Sequence, residues 1–421
     1  MRVAHLSNLS NAAFNNCLAL RDRGVDAELY VTYQDVNERG DPIVLATEDP
    51  TTVTGEKEWP EWVHLWRMRP RHRPFIEQRR LLAGYDLVHA YTVTPIFAQF
   101  SGKRMVSHCT GSDLRSLALS RSLRGALLRR AYRRSAAVLY TDCDTGTLAA
   151  LDHLSLQNSR FVNTIIDLEA FRPGMDTELR RQLLEPGDTC LLFAPARQHW
   201  RTKGNDVLLR GFARLCARRT DVRLVMRSYG DDAARAEALA ARLSISSHVT
   251  FVGELSPVEM ARYCRAADAV AGFFVGPASG IPHFPLIIQE PLACAKPTVT
   301  YCDEKLASAM FGDDVPYILA TDPDTIEDCL EEALSGGVRV ERLVGSGLRW
   351  ARRRLPAAGI SQDLLALYET VLRVADKGGP PGEAPASSAP RGLAGQPRLS
   401  EAEASCVQHG HGGVAPGVNG G

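Results

Sequence analysis

The chain has ten cysteines, yet none forms a Cys-x-x-Cys pair and none is spaced with histidine as zinc ligands are. That excludes zinc-knuckle and dithiol motifs. Cys17, Cys190, Cys216 and Cys294 lie in apolar stretches and read as small buried hydrophobes in a reducing compartment. Also missing is any apolar run near the roughly 20 residues that a membrane-crossing helix needs. The opening Met1-Arg-Val-Ala-His-Leu-Ser7 has the pattern of a strand and not of a signal peptide. A cytoplasmic protein is the expectation. An excess of charge of either sign is absent too, since 49 basic residues balance 49 acidic ones. Whole-chain charge therefore gives no argument for nucleic acid, and it is not an expected partner because the aromatic residues form no stacking platform.

What the sequence does contain is a regular alternation of strand and helix patterns. At 421 residues the chain is long for one core and suits two domains. Val3 to Leu6 reads as a short strand, Ser7 to Asn11 as a polar loop, and Ala13, Cys17 and Leu20 recur at helical spacing before Gly24 closes the helix. Val25, Ala27, Leu29 and Val31 alternate as the next strand, and Asp86–Ala90, Arg104–His108 and Ala136–Tyr140 follow. These form a first α/β domain over residues 1–166. Polar, helix-poor sequence then runs to about Asp188. A second α/β domain, 167–345, has strands at Cys190–Ala194, Val222–Met226, Val249–Val252, Ala269–Gly272 and Thr298–Tyr301, with helices such as Val207–Ala217 and Ala233–Leu243 between them. Residues 346–377 read as a helical segment broken near Pro356 and Gly359. Residues 378–421 hold almost no large apolar side chains and read as a disordered tail. Parallel strands joined by right-handed crossovers predict two doubly wound, Rossmann-like domains facing a cleft.

Two segments of the second domain carry chemistry. Arg197-Gln-His-Trp-Arg-Thr-Lys203-Gly204 follows a predicted strand and presents Arg197 and Lys203, with Arg201 between them. Phe284-Pro-Leu-Ile-Ile-Gln-Glu290 runs through a loop into a helix start that bears a carboxylate. Two cations and a helix N-terminus suit a diphosphate, and a carboxylate accepts hydrogen bonds from sugar hydroxyls. Together they are the parts of a site for a nucleotide diphosphate carrying a sugar.

These motifs, in this order, resemble those of a GT-B glycosyltransferase of the retaining family 4 type. Gly111-Ser-Asp-Leu-Arg115 is similar to the family's first-domain loop, Asn163-Thr-Ile-Ile-Asp167 with Phe171 and Pro173 to its interdomain signature, and Phe251-Val-Gly253-Glu-Leu255 to the segment beside the base. Phe284 to Glu290 with Ala293-Cys-Ala-Lys-Pro297 is similar to its donor loop and helix. The resemblance spans roughly residues 1–375. It implies that Arg197 and Lys203 hold the donor diphosphate, with catalytic effect, and that Glu290 contacts the ribose. It also implies that the N–H groups of Leu286 and Ile287 sit near the phosphates and that Phe251 and Val252 line the base. The donor would be UDP- or GDP-linked, with no further cofactor. The acceptor would be a glycan, a lipid-linked sugar or a small molecule bound mainly to the first domain, with Asp113 on the acceptor side. His108, the imidazole nearest the family's catalytic-region histidine, reads first as a satisfied structural histidine and second as a catalytic contact to acceptor or donor.

Three departures stand out. Pro282 replaces the first of the family's two glutamates, Ser10-Asn-Ala-Ala-Phe14 replaces its Gly-Gly loop, and Thr110 stands where a histidine often precedes the Gly-Ser-Asp motif. These keep two alternatives open: a non-catalytic relative that binds nucleotide sugar or a partner, and a nucleotide-sugar epimerase. Asp142-Cys-Asp144 has the spacing of a metal motif but lies after a first-domain strand, and no metal is expected. Asp113 is equally suited to capping the helix that starts near Leu114. Arg67–Arg80 and Arg121–Arg134 each hold six arginines. In the second run Arg129, Arg130, Arg133 and Arg134 share one helical side, which suits peripheral contact with an anionic membrane or an acidic acceptor.

Overall fold

The computed structural model describes residues 1–33, 35–36, 42–44, 49, 58–67, 74–141, 145–275, 286–301, 304–311, 315–320 and 322–376. Strands β1 (Arg2–Leu6), β2 (Asp26–Tyr33), β3 (Asp35–Val36), β4 (Pro42–Ile43), β5 (Val63–Arg67), β6 (Leu87–Tyr91), β7 (Arg104–Cys109), β8 (Ala137–Tyr140) and β9 (Ser159–Phe161) belong to the first half. All but β3 and β4, an antiparallel pair apart, form one sheet in the order β5-β2-β1-β6-β7-β8-β9. Strands β10 (Cys190–Ala194), β11 (Val222–Arg227), β12 (Val249–Val252), β13 (Ala269–Ala271), β14 (Thr298–Thr300) and β15 (Ile318–Leu319) form the second sheet, ordered β12-β11-β10-β13-β14-β15. Every pairing within the two sheets is parallel. Each sheet is wound outward both ways from its first strand. Strand order therefore reverses between β1 and β6, and again between β10 and β13, and crevices open at the carboxyl ends of those strands.

The expected doubly wound α/β architecture is thus what the chain adopts. In the first sheet, helix α1 (Ala12–Arg21) covers one face, its Ala13, Phe14, Cys17 and Leu20 packing on Val3, Leu29 and Val106. Helix α2 (Leu123–Arg134) lies on the other face through Leu128, Ala131 and Tyr132. The edge strand β5 was not evident in the sequence. Its Leu65 is exposed, and its place depends on parallel pairing of Leu29–Tyr33 with Val63–Arg67.

The stretch before Asp188 is less helix-poor than expected, because helix α3 (Thr177–Leu183) lies within it. Asp176 explains it: one carboxylate oxygen caps the helix by accepting from the Leu179 N–H at 3.0 Å, and the other pairs with Arg262 at 2.8 Å. Beyond it, α4 (Asn205–Arg218) packs on one face of the second sheet. On the other face lie α5 (Pro257–Ala266) and α6 (Leu286–Ala293).

The final helical stretch splits between the two halves. Helix α7 (Val338–Arg354) joins the second core through Val340, Leu343, Trp350 and Ala351. Two residues on, α8 (Ala357–Asp376) packs against α1 in the first core through Ile360, Leu364, Leu367, Tyr368 and Val371. The chain therefore returns to the domain in which it began. Residues 378–421, Pro282, and Asp142 with Asp144 lie outside the described residues, as does the middle of the basic run Arg67–Arg80.

Candidate functional site

The cradle loop leaves β10 at the reversal point of the second sheet. Arg197 is exposed, and Lys203 is half-buried at the end of a single helical turn, Trp200–Lys203. The Lys203 ammonium lies 3.8 Å over the Phe273 ring, and its carbonyl accepts the Phe274 N–H at 3.0 Å. The loops after β10 and β13, the two strands that flank the reversal, are thus stitched together. Gly204 permits this. Its φ is +65°, and a Cβ there would lie 2.5 Å from the Phe274 carbonyl carbon. The loop is also tied to the end of β11. The Gln198 N–H donates to Tyr229 O at 2.8 Å, the Asp232 N–H to Gln198 O at 3.1 Å, and the Trp200 N–H to an Asp232 carboxylate oxygen at 2.8 Å. His199 and Thr202 bond each other at 2.6 Å, and Trp200 packs on the core under the Arg235 guanidinium. Both aromatic side chains of this loop have structural employment.

Leu286 and Ile287 are the first described residues of α6 and are half-buried. Glu290 is not in that first turn. It is the fifth residue of α6, 7% exposed, and its Oε2 has no hydrogen-bond partner among the described residues. Burial pushes its carboxyl up to about 8; the Cys294 thiol adds to the shift and the Arg227 guanidinium opposes it. A favourable charge at a helix start does not describe this residue. Phe251 and Val252 are half-buried on β12, and the Val252 carbonyl accepts the Ser228 N–H at 2.6 Å.

Arg227 was not singled out by sequence, where it falls just beyond the expected strand Val222–Met226. Alternation along β11 instead puts Arg223, Val225 and Arg227 on the sheet face covered by α5 and α6. Arg227 is 8% exposed, stacks 4.1 Å from the Tyr229 ring centre, and sits in the fields of Glu254 and Glu290.

Both first-domain candidates are buried, and His108 has the structural setting that its sequence position favoured. His108 does not face an open cleft. It is 2% exposed, with Nδ1 3.2 Å from His89 Nε2. Around it His5, His89, Tyr91 and Tyr368 form one buried cluster: His5 Nδ1 lies 3.1 Å from the Tyr91 hydroxyl and His89 Nδ1 2.6 Å from the Tyr368 hydroxyl. Burial pushes both His108 and His5 down to about 3, the latter helped by His108 itself. An imidazole so held is neutral. Asp113 is also buried, at 6% exposure, and accepts from the Thr110 N–H at 3.0 Å and the Tyr132 hydroxyl at 2.9 Å. Its bonds tie the Gly-Ser-Asp loop to α2. The loop after β1 makes its turn without glycine: Ser10 and Asn11 take φ of 55° and 56°.

On α2 the arginine side is only partly free. Arg129 donates to the Ala118 and Ser120 carbonyls at 2.6 and 2.7 Å, and Arg130 lies 5.6 Å over the Phe100 ring, while Arg124, Arg133 and Arg134 are exposed. Among the described residues no three His, Cys, Asp or Glu side chains are grouped to hold a metal, and no helix is long and apolar enough to cross a membrane.

The second domain thus brings cations and a buried carboxylate to the reversal of its sheet, and its sequence and fold have known counterparts. Residues 175–345 match the family described as Glycosyl transferases group 1. Anabaena HepE, solved with UDP-glucose, superimposes with a TM-score of 0.68 at 15% identity, covering 88% of this chain and 99% of that one. Sucrose-phosphate synthase from Thermosynechococcus elongatus gives 0.64 at 16% identity, covering 89% and 100%. The chain shares the two-domain fold of these solved structures, and residues 175–345 are similar to the group 1 family. Among relatives by sequence, a D-inositol 3-phosphate glycosyltransferase from Mycobacterium sp. (strain JLS) is 31% identical over 168 residues. The match spans 38% of this chain and 36% of that relative.

Proposed function

We propose that the protein is a retaining, family 4-like glycosyltransferase that moves a sugar from a UDP- or GDP-linked donor to a glycan, lipid-linked or small-molecule acceptor. The observation that carries this reading is the Arg197–Gly204 loop, fixed at the sheet reversal and stitched to Phe273 and Phe274 beside the start of α6. In the proposed step the bond between the sugar C1 and the diphosphate oxygen breaks. The acceptor hydroxyl oxygen bonds C1 on the same face, and its proton passes to an oxygen of the departing phosphate. Arg197, Lys203 and the N–H groups of Leu286 and Ile287 offset the charge that develops on the leaving group. Glu290 holds the ribose, and Phe251 and Val252 line the base. The scheme uses no metal, no cofactor and no carboxylate nucleophile. His108, enclosed in its cluster, takes no part as acid or base, and Asp113 shapes the acceptor-side loop.

UDP-glucose in the HepE structure supports trying UDP donors first, and the inositol phosphate named for the sequence relatives supports a polyol phosphate as a first acceptor. The exposed arginines of α2 would bring the enzyme to an anionic, cytoplasmic membrane surface where lipid-linked acceptors lie. Lys203→Ala should weaken UDP or GDP binding at least about tenfold with an unchanged circular dichroism spectrum. Normal binding by that variant would refute the site. A panel of nucleotide sugars, with the anomeric form of the product read by NMR, tests transfer and retention.

A further inference from the structure

Besides the indole Nε1 of Trp200 in the cradle loop, three buried polar atoms near it have no hydrogen-bond partner among the described residues: Nε of Arg227, Oε1 of Gln198 and Oε2 of Glu290. They come from the end of β11, the loop after β10 and helix α6. Gln198 is fully buried, and its Nε2 donates to the Arg227 carbonyl at 2.7 Å, so these two residues adjoin. Among the described residues the Arg227 Nη1 reaches only the Pro195 carbonyl, at 3.4 Å. Arg227 and Glu290 act on each other electrostatically, yet their orphaned atoms do not bond one another. Unpaired buried polar atoms are uncommon because each forfeits its hydration. Three of them near the carboxyl ends of β10 and β11 mark a place shaped for a polar ligand.

We propose that Arg227 and Gln198 join Glu290 in reading the vicinal diol of a ribose, so that the site selects ribonucleoside over deoxyribonucleoside diphosphates. The inference rests on the nucleotide-sugar reading of the same cradle. A ribose diol offers two O–H donors and two acceptor oxygens. Gln198 Oε1 and Glu290 Oε2 take the donors, and Arg227 Nε gives to an oxygen. Loss of either hydroxyl leaves one of the three atoms buried and unmatched. The diphosphate is held separately, by Arg197 and Lys203, so ribose and phosphate recognition are separable by substitution.

Calorimetric titration of the full chain with UDP, GDP and their 2′-deoxy and 3′-deoxy counterparts tests this. The better-bound ribonucleotide should exceed at least one of its deoxy forms about tenfold or more. Arg227→Lys keeps the charge but loses Nε, and should lower that ratio by about threefold or more, the remainder being held by Gln198 and Glu290. Lys203→Ala should weaken ribose and deoxyribose forms alike. Equal wild-type binding of ribose and both deoxyribose forms would overturn the inference even if Arg227→Lys fails to fold. So would an Arg227→Lys variant that loses both forms equally, since that is the behaviour of a phosphate contact. No wild-type binding of any nucleoside diphosphate would instead remove the cradle reading, and this inference with it.

Discussion

Glu290 is a carboxyl placed where water cannot hydrate its charge, and its pH behaviour follows. Its pKa is raised by burial to about 8 in the folded chain, against an ordinary value of 4.5. Between those values the folded state keeps a proton that the unfolded state releases. Stability from this group is therefore fully present below about 4.5 and is lost as pH rises toward 8, by up to about 1.4 kcal/mol per pH unit. Glu290→Gln cannot ionise and should escape that loss. In nucleotide-free protein, the melting temperature of the variant relative to wild type should rise from pH 5 to pH 8, while nucleotide binding weakens about tenfold. Parallel pH profiles would show that Glu290 is hydrated after all. The same residue illustrates what sequence reading reached. Its position before Ala293-Cys-Ala-Lys-Pro297 marked it as a ligand group, but its unpaired oxygen and its neighbour Arg227 arise from packing between α6 and β11.

At the scale of elements, the loop after β1 takes a glycine-like course without glycine. Ser10 is exposed and left-handed at φ 55°, a conformation that costs an L-residue about 1–2 kcal/mol. Asn11 and Asn8 hold the turn from beneath: the Asn8 amide donates to Asn11 Oδ1 at 2.8 Å and its oxygen accepts the Phe14 N–H at 2.8 Å. Ser10→Gly should therefore raise stability by about 0.5–1 kcal/mol in urea titration, after the extra unfolded-state entropy of glycine is subtracted. A loss of stability would mean that the Ser10 side chain carries an interaction of its own. Most strands were legible because their residues are buried on both faces and read as short apolar runs. Elements with few apolar residues were not. Helix α3 stands on the Asp176 cap and its ion pair with Arg262, and β5 on a neighbouring strand already in place.

For the whole molecule, the decisive feature is the return of α8 to the first domain. Tyr368 reaches the His5–His89–His108 cluster, and all three imidazoles are held well below the ordinary 6.5 by burial. The sign is opposite to that of Glu290. Below 6.5 the unfolded chain binds protons that the folded cluster refuses, so the contribution is present above 6.5 and lost as pH falls toward 3. In the Glu290→Gln background, melting temperature should fall between pH 6.5 and 5, before ordinary carboxylates titrate, by up to about 1.4 kcal/mol per unit for each imidazole. A flat profile across that window would show the cluster open to protons.

The sequence by itself determined two doubly wound domains and the cation-bearing loop, because strand burial, helical spacing and the Lys203-Gly204 turn are local properties of neighbouring residues. Only the tertiary structure decided that His108 is sealed under α8, that Asp113 serves a loop, and that Arg227 and Gln198 stand beside Glu290. Those relations join residues from 19 to 279 positions apart, and side-chain burial at such separations is set by how sheets and helices pack, which no local pattern encodes.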